Sequence, residues 1–308
     1  MTLPDPLPDL RNLDPGQWWD ALDDLGEEHG YFDLVGSRHA SLFLDLDRTL
    51  LVTFETMDEA RRLPFAHPRG VALAAAHGWS LLAFLSDGET WFRDPAVWGT
   101  FDRLGDDGFF EDFERVLFFG AGSGAYAAAA FSVAAPGGRV LAIRPQATLS
   151  PGLAGWDRRF LAARRLDFTS RYGFAPDMVD AAQHVDVIID PHVTPDAIHA
   201  AFFARENVTI HRARGAGART EALLDQMGLT GTLVEAAMEG RLDPVSFARL
   251  WRARRGSAPW LRGLVRKLEH AGQFGRARRV CEYGLTTDSP EPFRRKLQEI
   301  AARAAAAE

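Results

Sequence analysis

The sequence predicts an α/β fold: a mostly parallel sheet with helices on both faces, followed by a helical C-terminal appendage. Three observations predict it. Short apolar runs at 79–85, 116–119, 139–143, 185–189 and 208–211 show little polar alternation, the pattern of strands buried on both faces. Segments of helical composition separate these runs, as crossovers between parallel strands require. After residue 228 the β-type runs cease and helical patterns take over.

Taken in order, residues 1–35 read as an extended leader with a short acidic helix around 18–25. Runs at 41–46 and 49–54, split by Asp47 and Arg48, suit a tight antiparallel hairpin. An Ala-rich helix spans 67–77 and is closed by Gly78, before the apolar strand 79–85. The aromatic and acidic stretch 91–113 is helical in part. Strand 116–119 runs into Gly120-Ala121-Gly122-Ser123-Gly124 and a helix of small residues, 125–134. Strands 139–144 and 185–189 follow, the second ending at Asp190. Helix 195–205, strand 208–212, a Gly-rich loop and helix 219–227 complete the alternation. These segments divide the chain into a leader (1–35), an α/β domain (36–240) and a helical tail (241–308).

In the tail, helices 260–271 and 274–284 flank Gly272, with Leu261, Leu264, Leu268 and Ala277 on the apolar side. The pair resembles one tetratricopeptide-type unit. Such units bury their faces by stacking about three or more, so a lone pair is expected to dock on the main domain or on a protein partner. The Ala-rich end, 301–307, is expected to be a fraying helix.

Composition narrows the function. The 308 residues suffice for one large domain with an appendage. A net charge of −7 argues against a nucleic-acid partner, because phosphate binding needs a basic surface. The one cysteine, Cys281, excludes an internal disulfide framework and Cys-rich metal sites. No motif calls for a cofactor or a metal. Residues 1–13 lack the basic and apolar regions of a signal peptide, and no run approaches the length of a membrane span. The expected compartment is the cytoplasm, with no membrane partner.

The strand–glycine–helix element at 116–128 resembles the nucleophile elbow of α/β-hydrolases, Gly-x-Ser-x-Gly between a buried strand and a helix. The turn holds its central residue in a strained conformation, and side chains at the flanking positions would clash. With Gly120 and Gly124 in the glycine positions, Gly122 occupies the nucleophile position and Ser123 follows it. A shift by one would make Ser123 the nucleophile between Ala121 and Ala125. A plain packing turn is the alternative, whereas a phosphate-binding loop lacks its Lys-Ser/Thr pair.

The resemblance implies an acid after a later strand and a His after the last one. Asp190 stands in the acid position, and Ala218 stands where the His would be. His211, inside a strand, and His199, on the helix after Asp190, are the remaining candidates for a base. A serine without a base stays protonated at neutral pH and attacks slowly. The candidate catalytic residues are therefore Ser123, Asp190 and His211, and the pocket residues Gly120, Gly122, Gly124, Tyr126, Gln146 and His199. The resemblance implies an α/β-hydrolase-like protein with a decayed triad that binds a small ligand or a protein partner; the alternative is a serine ester hydrolase using Ser123.

Two other families share short motifs. Asp45-Leu46-Asp47-Arg48-Thr49 resembles the first motif of haloacid-dehalogenase-type phosphatases, which implies an Asp nucleophile, an Asp general acid and Mg²⁺. It departs at Arg48, usually Gly, and no Lys precedes Lys267. The chain also resembles bacterial proteins that carry the label phosphoadenosine phosphosulfate reductase. That resemblance implies a Glu-Cys-Gly-Leu-His motif, but Cys281-Glu282-Tyr283-Gly284-Leu285 places the Glu on the other side and has no His.

Overall fold

A computed structural model of the chain describes Leu3 and residues 7–305. Its centre is one eight-stranded sheet: β1 (Gly30–Val35), β2 (His39–Leu44), β3 (Thr49–Thr56), β4 (Ser80–Ser86), β5 (Arg115–Ala121), β6 (Arg139–Ile143), β7 (His184–Ile189) and β8 (Val208–Arg212). The spatial order is β1-β2-β4-β3-β5-β6-β7-β8. β1 and β2 are antiparallel to their neighbours, and β3 to β8 are all parallel. With helices on both faces, this is the α/β-hydrolase-like architecture the sequence implied.

The five apolar runs are parallel strands of this one sheet, with β3 inserted between β4 and β5. Two expectations are corrected. Segments 41–46 and 49–54 do not form a hairpin: β4 lies between β2 and β3, pairing antiparallel with one and parallel with the other. In the folded chain every position of both strands is buried, as in strands inside a covered sheet, whereas a one-sided hairpin would alternate. Residues 45–48 instead cross the start of β4. There the Ser80 hydroxyl accepts from Leu46 and Asp47 N–H at 2.9 Å and donates to the Asp47 carbonyl at 2.6 Å. The second correction is that β1 lies inside the segment read as leader, so the sheet starts at Gly30.

Two cores cover the sheet. One buries helices Pro95–Asp106, Ser123–Phe131 and Thr194–Phe202. The other buries Pro15–His29, Arg69–His77, Thr220–Gln226 and Thr230–Met238. Local signals set several of these ends. Asp14 and Gln17 form a capping box, Asp94 caps a helix with Pro95 at its first position, and Gly78 takes the left-handed conformation that ends Arg69–His77. All nine residues of Ser123–Phe131 are buried, which is why that helix is almost purely small and apolar.

Residues 151–178 form short helical turns between β6 and β7, a segment without legible periodicity. Helix Pro244–Leu250 packs on β8 through Phe247 and His211, whereas Ala258–His270, Phe274–Gly284 and Glu291–Ala305 have a small core of their own. Residues 306–307 of the Ala-rich end lie outside the described residues. Among the described residues no helix is long and apolar enough to cross a membrane.

Candidate functional site

The strand-to-helix turn after β5 is a sharp elbow with Gly122 at its apex, at φ 57° and ψ −121°. A Cβ on Gly120 would lie 2.2 Å from the Gly124 carbonyl oxygen, and one on Gly124 2.2 Å from that of Phe54. These backbone collisions are why both flanking positions are glycine. Gly122 is different. A Cβ there would meet only Arg144 Nη2, at 3.6 Å, so space admits a side chain at the apex, although at φ 57° any residue other than glycine is strained. Ser123 opens the helix, and its hydroxyl donates to Glu89 Oε2 at 3.0 Å. Burial, with Glu59 nearby, pushes the Glu89 carboxyl above its ordinary range.

Asp190, just past β7, is fully buried. It accepts from Gly217 N–H at 2.7 Å and His192 N–H at 3.1 Å, with His192 Nδ1 at 3.0 Å. Burial disfavours its charge, but these donors hold the carboxyl below its usual range. Gly217 belongs to the loop after β8, next to Ala218. The acid therefore anchors the backbone of that loop through one oxygen and meets the His192 imidazole with the other. Lys267 of the tail stands 3.8 Å from the same carboxylate.

The structure does not bring Ser123, Asp190 and His211 together. His211 Nε2 lies 2.6 Å from Asp186 Oδ1, and its ring packs 4.8 Å from Phe247. It is a buried strand residue that ties β8 to β7 and to the helix above them. His199 accepts from Ala147 N–H through Nδ1 at 3.2 Å, which leaves Nε2–H to donate to Asp157 at 3.2 Å. Burial lowers the imidazole's proton affinity. Arg159 bridges Asp157 and Asp196 at 2.7 and 2.6 Å, so His199 belongs to a network that pins 151–178 to helix Thr194–Phe202. Tyr126 donates to the Tyr172 carbonyl at 2.6 Å, and burial raises its phenol. Gln146 donates to the Arg144 carbonyl at 3.0 Å, while its Oε1 has no partner among the described residues.

What the sequence reading missed is a charged cleft beside the elbow. About 410 Å³ in volume, it opens at the C-terminal ends of β3 and β5, with Glu55, Arg69, Ala121 and Glu221 in its wall. Burial lifts the Glu55 carboxyl to about 7, against the pull of Arg69. Arg144, itself at φ 56°, reaches across the elbow to Glu221 at 2.5 Å. The available signal was an acid, Glu55, near the end of a strand that is otherwise uncharged.

Asp45 and Asp47 are exposed, and because β2 runs antiparallel they lie at the opposite edge of the sheet from the elbow. The phosphatase reading needs its nucleophile at the C-terminal edge of parallel strands, and they are not there. Cys281 is fully buried inside Phe274–Gly284, and burial raises its thiol, so the reductase label gains no support.

No protein-family model matches the chain, and no curated protein matches it. Several solved structures are similar. An esterase from Pyrobaculum calidifontis is 13% identical with a TM-score of 0.44, covering 76% of this chain and 95% of that one. Est1E from Butyrivibrio proteoclasticus is 15% identical with a TM-score of 0.43, covering 70% and 98%. A capsule O-acetyltransferase of Neisseria meningitidis serogroup A is 13% identical with a TM-score of 0.44, covering 67% and 95%.

Proposed function

We propose that this α/β-hydrolase-like chain binds a small molecule at the C-terminal edge of its sheet and does not carry out serine-hydrolase chemistry. One observation carries the reading: the strained apex where a nucleophile would project is Gly122. A glycine offers nothing to acylate, and the rest of the triad is consistent with that loss. Asp190 is satisfied by two backbone N–H groups and by the His192 imidazole two residues on, and Ala218 supplies no base. The cleft remains, in the place where open α/β sheets bind ligands.

A second reading, a serine ester hydrolase using Ser123, is favoured by the Ser123–Glu89 hydrogen bond, since a carboxylate at 3.0 Å is a base within reach. Fluorophosphonate labelling separates the two. The expected outcome is no covalent adduct by intact-mass spectrometry. A stoichiometric adduct on Ser123, abolished in Ser123→Ala, would replace the binding reading with the hydrolase. The paired change Gly122→Ser with Ala218→His restores both missing groups beside Asp190 and is expected to introduce slow ester hydrolysis; Gly122→Ser alone is not.

A further inference from the structure

The cleft beside the elbow holds polar atoms that the fold leaves without partners. β3 presents Thr53 and Glu55 on one face, two residues apart and respectively 1% and 6% exposed. Among the described residues neither Thr53 Oγ1 nor Glu55 Oε2 has a hydrogen-bond partner, and both residues line the cleft. The other Glu55 oxygen is occupied, accepting from Gly70 N–H at 3.4 Å at the start of helix Arg69–His77. Because β3 is paired on both sides, it cannot swing these atoms toward another protein group. A buried polar group without a partner is costly, so two side by side facing a cleft mark where a partner arrives from outside.

The charges around the cleft sharpen the picture. Arg69 is held by Asp225 at 2.6 Å, Glu221 by Arg144 at 2.5 Å, and Glu59 by the Thr56 cap. Two cleft residues are left over. Arg62 and Arg219 are exposed, and among the described residues neither pairs with a carboxylate. The unsatisfied groups thus have opposite character: acceptors in the wall and guanidinium donors at the surface.

We propose that the cleft binds a small hydroxy- or amino-carboxylate, whose carboxylate meets Arg62 and Arg219 and whose hydroxyl or amino group donates to Glu55. Thr53 Oγ1 completes the polar wall. This inference rests on the small-molecule reading above, but not on the absence of serine chemistry.

The test is isothermal titration calorimetry on the full chain with the twenty common amino acids, glycolate, lactate and malate. Propionate and succinate, which lack the donor group, are the matched controls. At least one hydroxy or amino acid is expected to bind, at least tenfold more tightly than its matched control. Glu55→Gln, which keeps the size and offers an amide in place of the carboxyl, is expected to weaken that binding tenfold or more, as is Arg219→Gln. Thr53→Val is the second variant, to be used if Glu55→Gln does not fold. Binding that Glu55→Gln or Thr53→Val leaves unchanged overturns this assignment while small-molecule binding stands. The absence of binding by every member of the panel overturns the ligand class outright.

Discussion

Glu55 is a carboxyl that the fold holds about halfway between its two charge states at neutral pH, and this has a consequence for stability. Its pKa rises from an ordinary 4.5 to about 7 because burial penalises the carboxylate. Between those values the folded chain binds more protons at this site than the unfolded chain. Its contribution is therefore fully present below about pH 4.5 and is lost as pH rises through 7. Glu55→Gln removes this dependence. In urea melts, the stability of Glu55→Gln relative to the parent should move in the variant's favour by about 3 kcal/mol between pH 4 and 8. The buried histidines His39, His67 and His199 titrate in both proteins and cancel in the difference. A relative stability flat across that range would show that Glu55 stays charged. At this scale the sequence was legible where a residue's identity carries its own constraint, as at Gly120, Gly122 and Gly124. It was not legible at Glu55, whose meaning lies in the helix start and arginines that surround it.

At the scale of elements, the elbow and the 151–178 segment behave differently. The elbow is built by close backbone approach, so Gly124→Ala drives a Cβ into the Phe54 carbonyl and should destabilise by several kcal/mol. Gly152→Ala, with nothing within 4 Å, should change stability by less than about 0.5 kcal/mol, and thermal melts of the two compare them directly. The 151–178 segment is held instead by charge. Asp157 and Asp196 are fully buried around Arg159. Arg159→Met strands two carboxylates and should cost about 3 kcal/mol or more, by chemical denaturation. Strand–helix alternation made most of the sheet legible, because buried parallel strands leave continuous apolar runs. The segment 151–178 was not, since its turns are single and its partners are distant in sequence.

The whole molecule is electrically uneven. Of its 35 basic residues, 15 lie within 241–308, which holds only seven of the 42 acids. A cationic tail beside an acidic body favours their contact. Even so, the links beyond residue 257 are few: Trp260 lies against Gly215, and the exposed Lys267 stands 3.8 Å from Asp190. An exposed partner at that distance contributes little. The last three helices pack around Leu261, Val265, Ala277, Cys281 and Phe293 instead. A chain ending at residue 256 should therefore still unfold cooperatively by calorimetry, with a midpoint only a few degrees lower. Collapse of that transition would show that the tail is part of the main core. Helix Pro244–Leu250 belongs with the sheet, since Phe247 sits on His211.

The sequence by itself determined the class of fold and the position of the glycine elbow, and it places Asp190 directly after β7. Each is written in a local pattern, and local backbone geometry reads such patterns directly. The register of the elbow, open between Gly122 and Ser123, was decided by the folded backbone. The tertiary structure alone decided the place of β4 between β2 and β3, and the recruitment of 30–35 as an edge strand. Strand pairing joins residues far apart, and no local pattern encodes the neighbour. It also decided the fate of each candidate side chain. Asp190 was turned to backbone anchoring, His211 to Asp186, His199 to Asp157 and Ser123 to Glu89. A hydrogen bond needs its partner within about 3 Å, and only the folded chain sets which groups come that close.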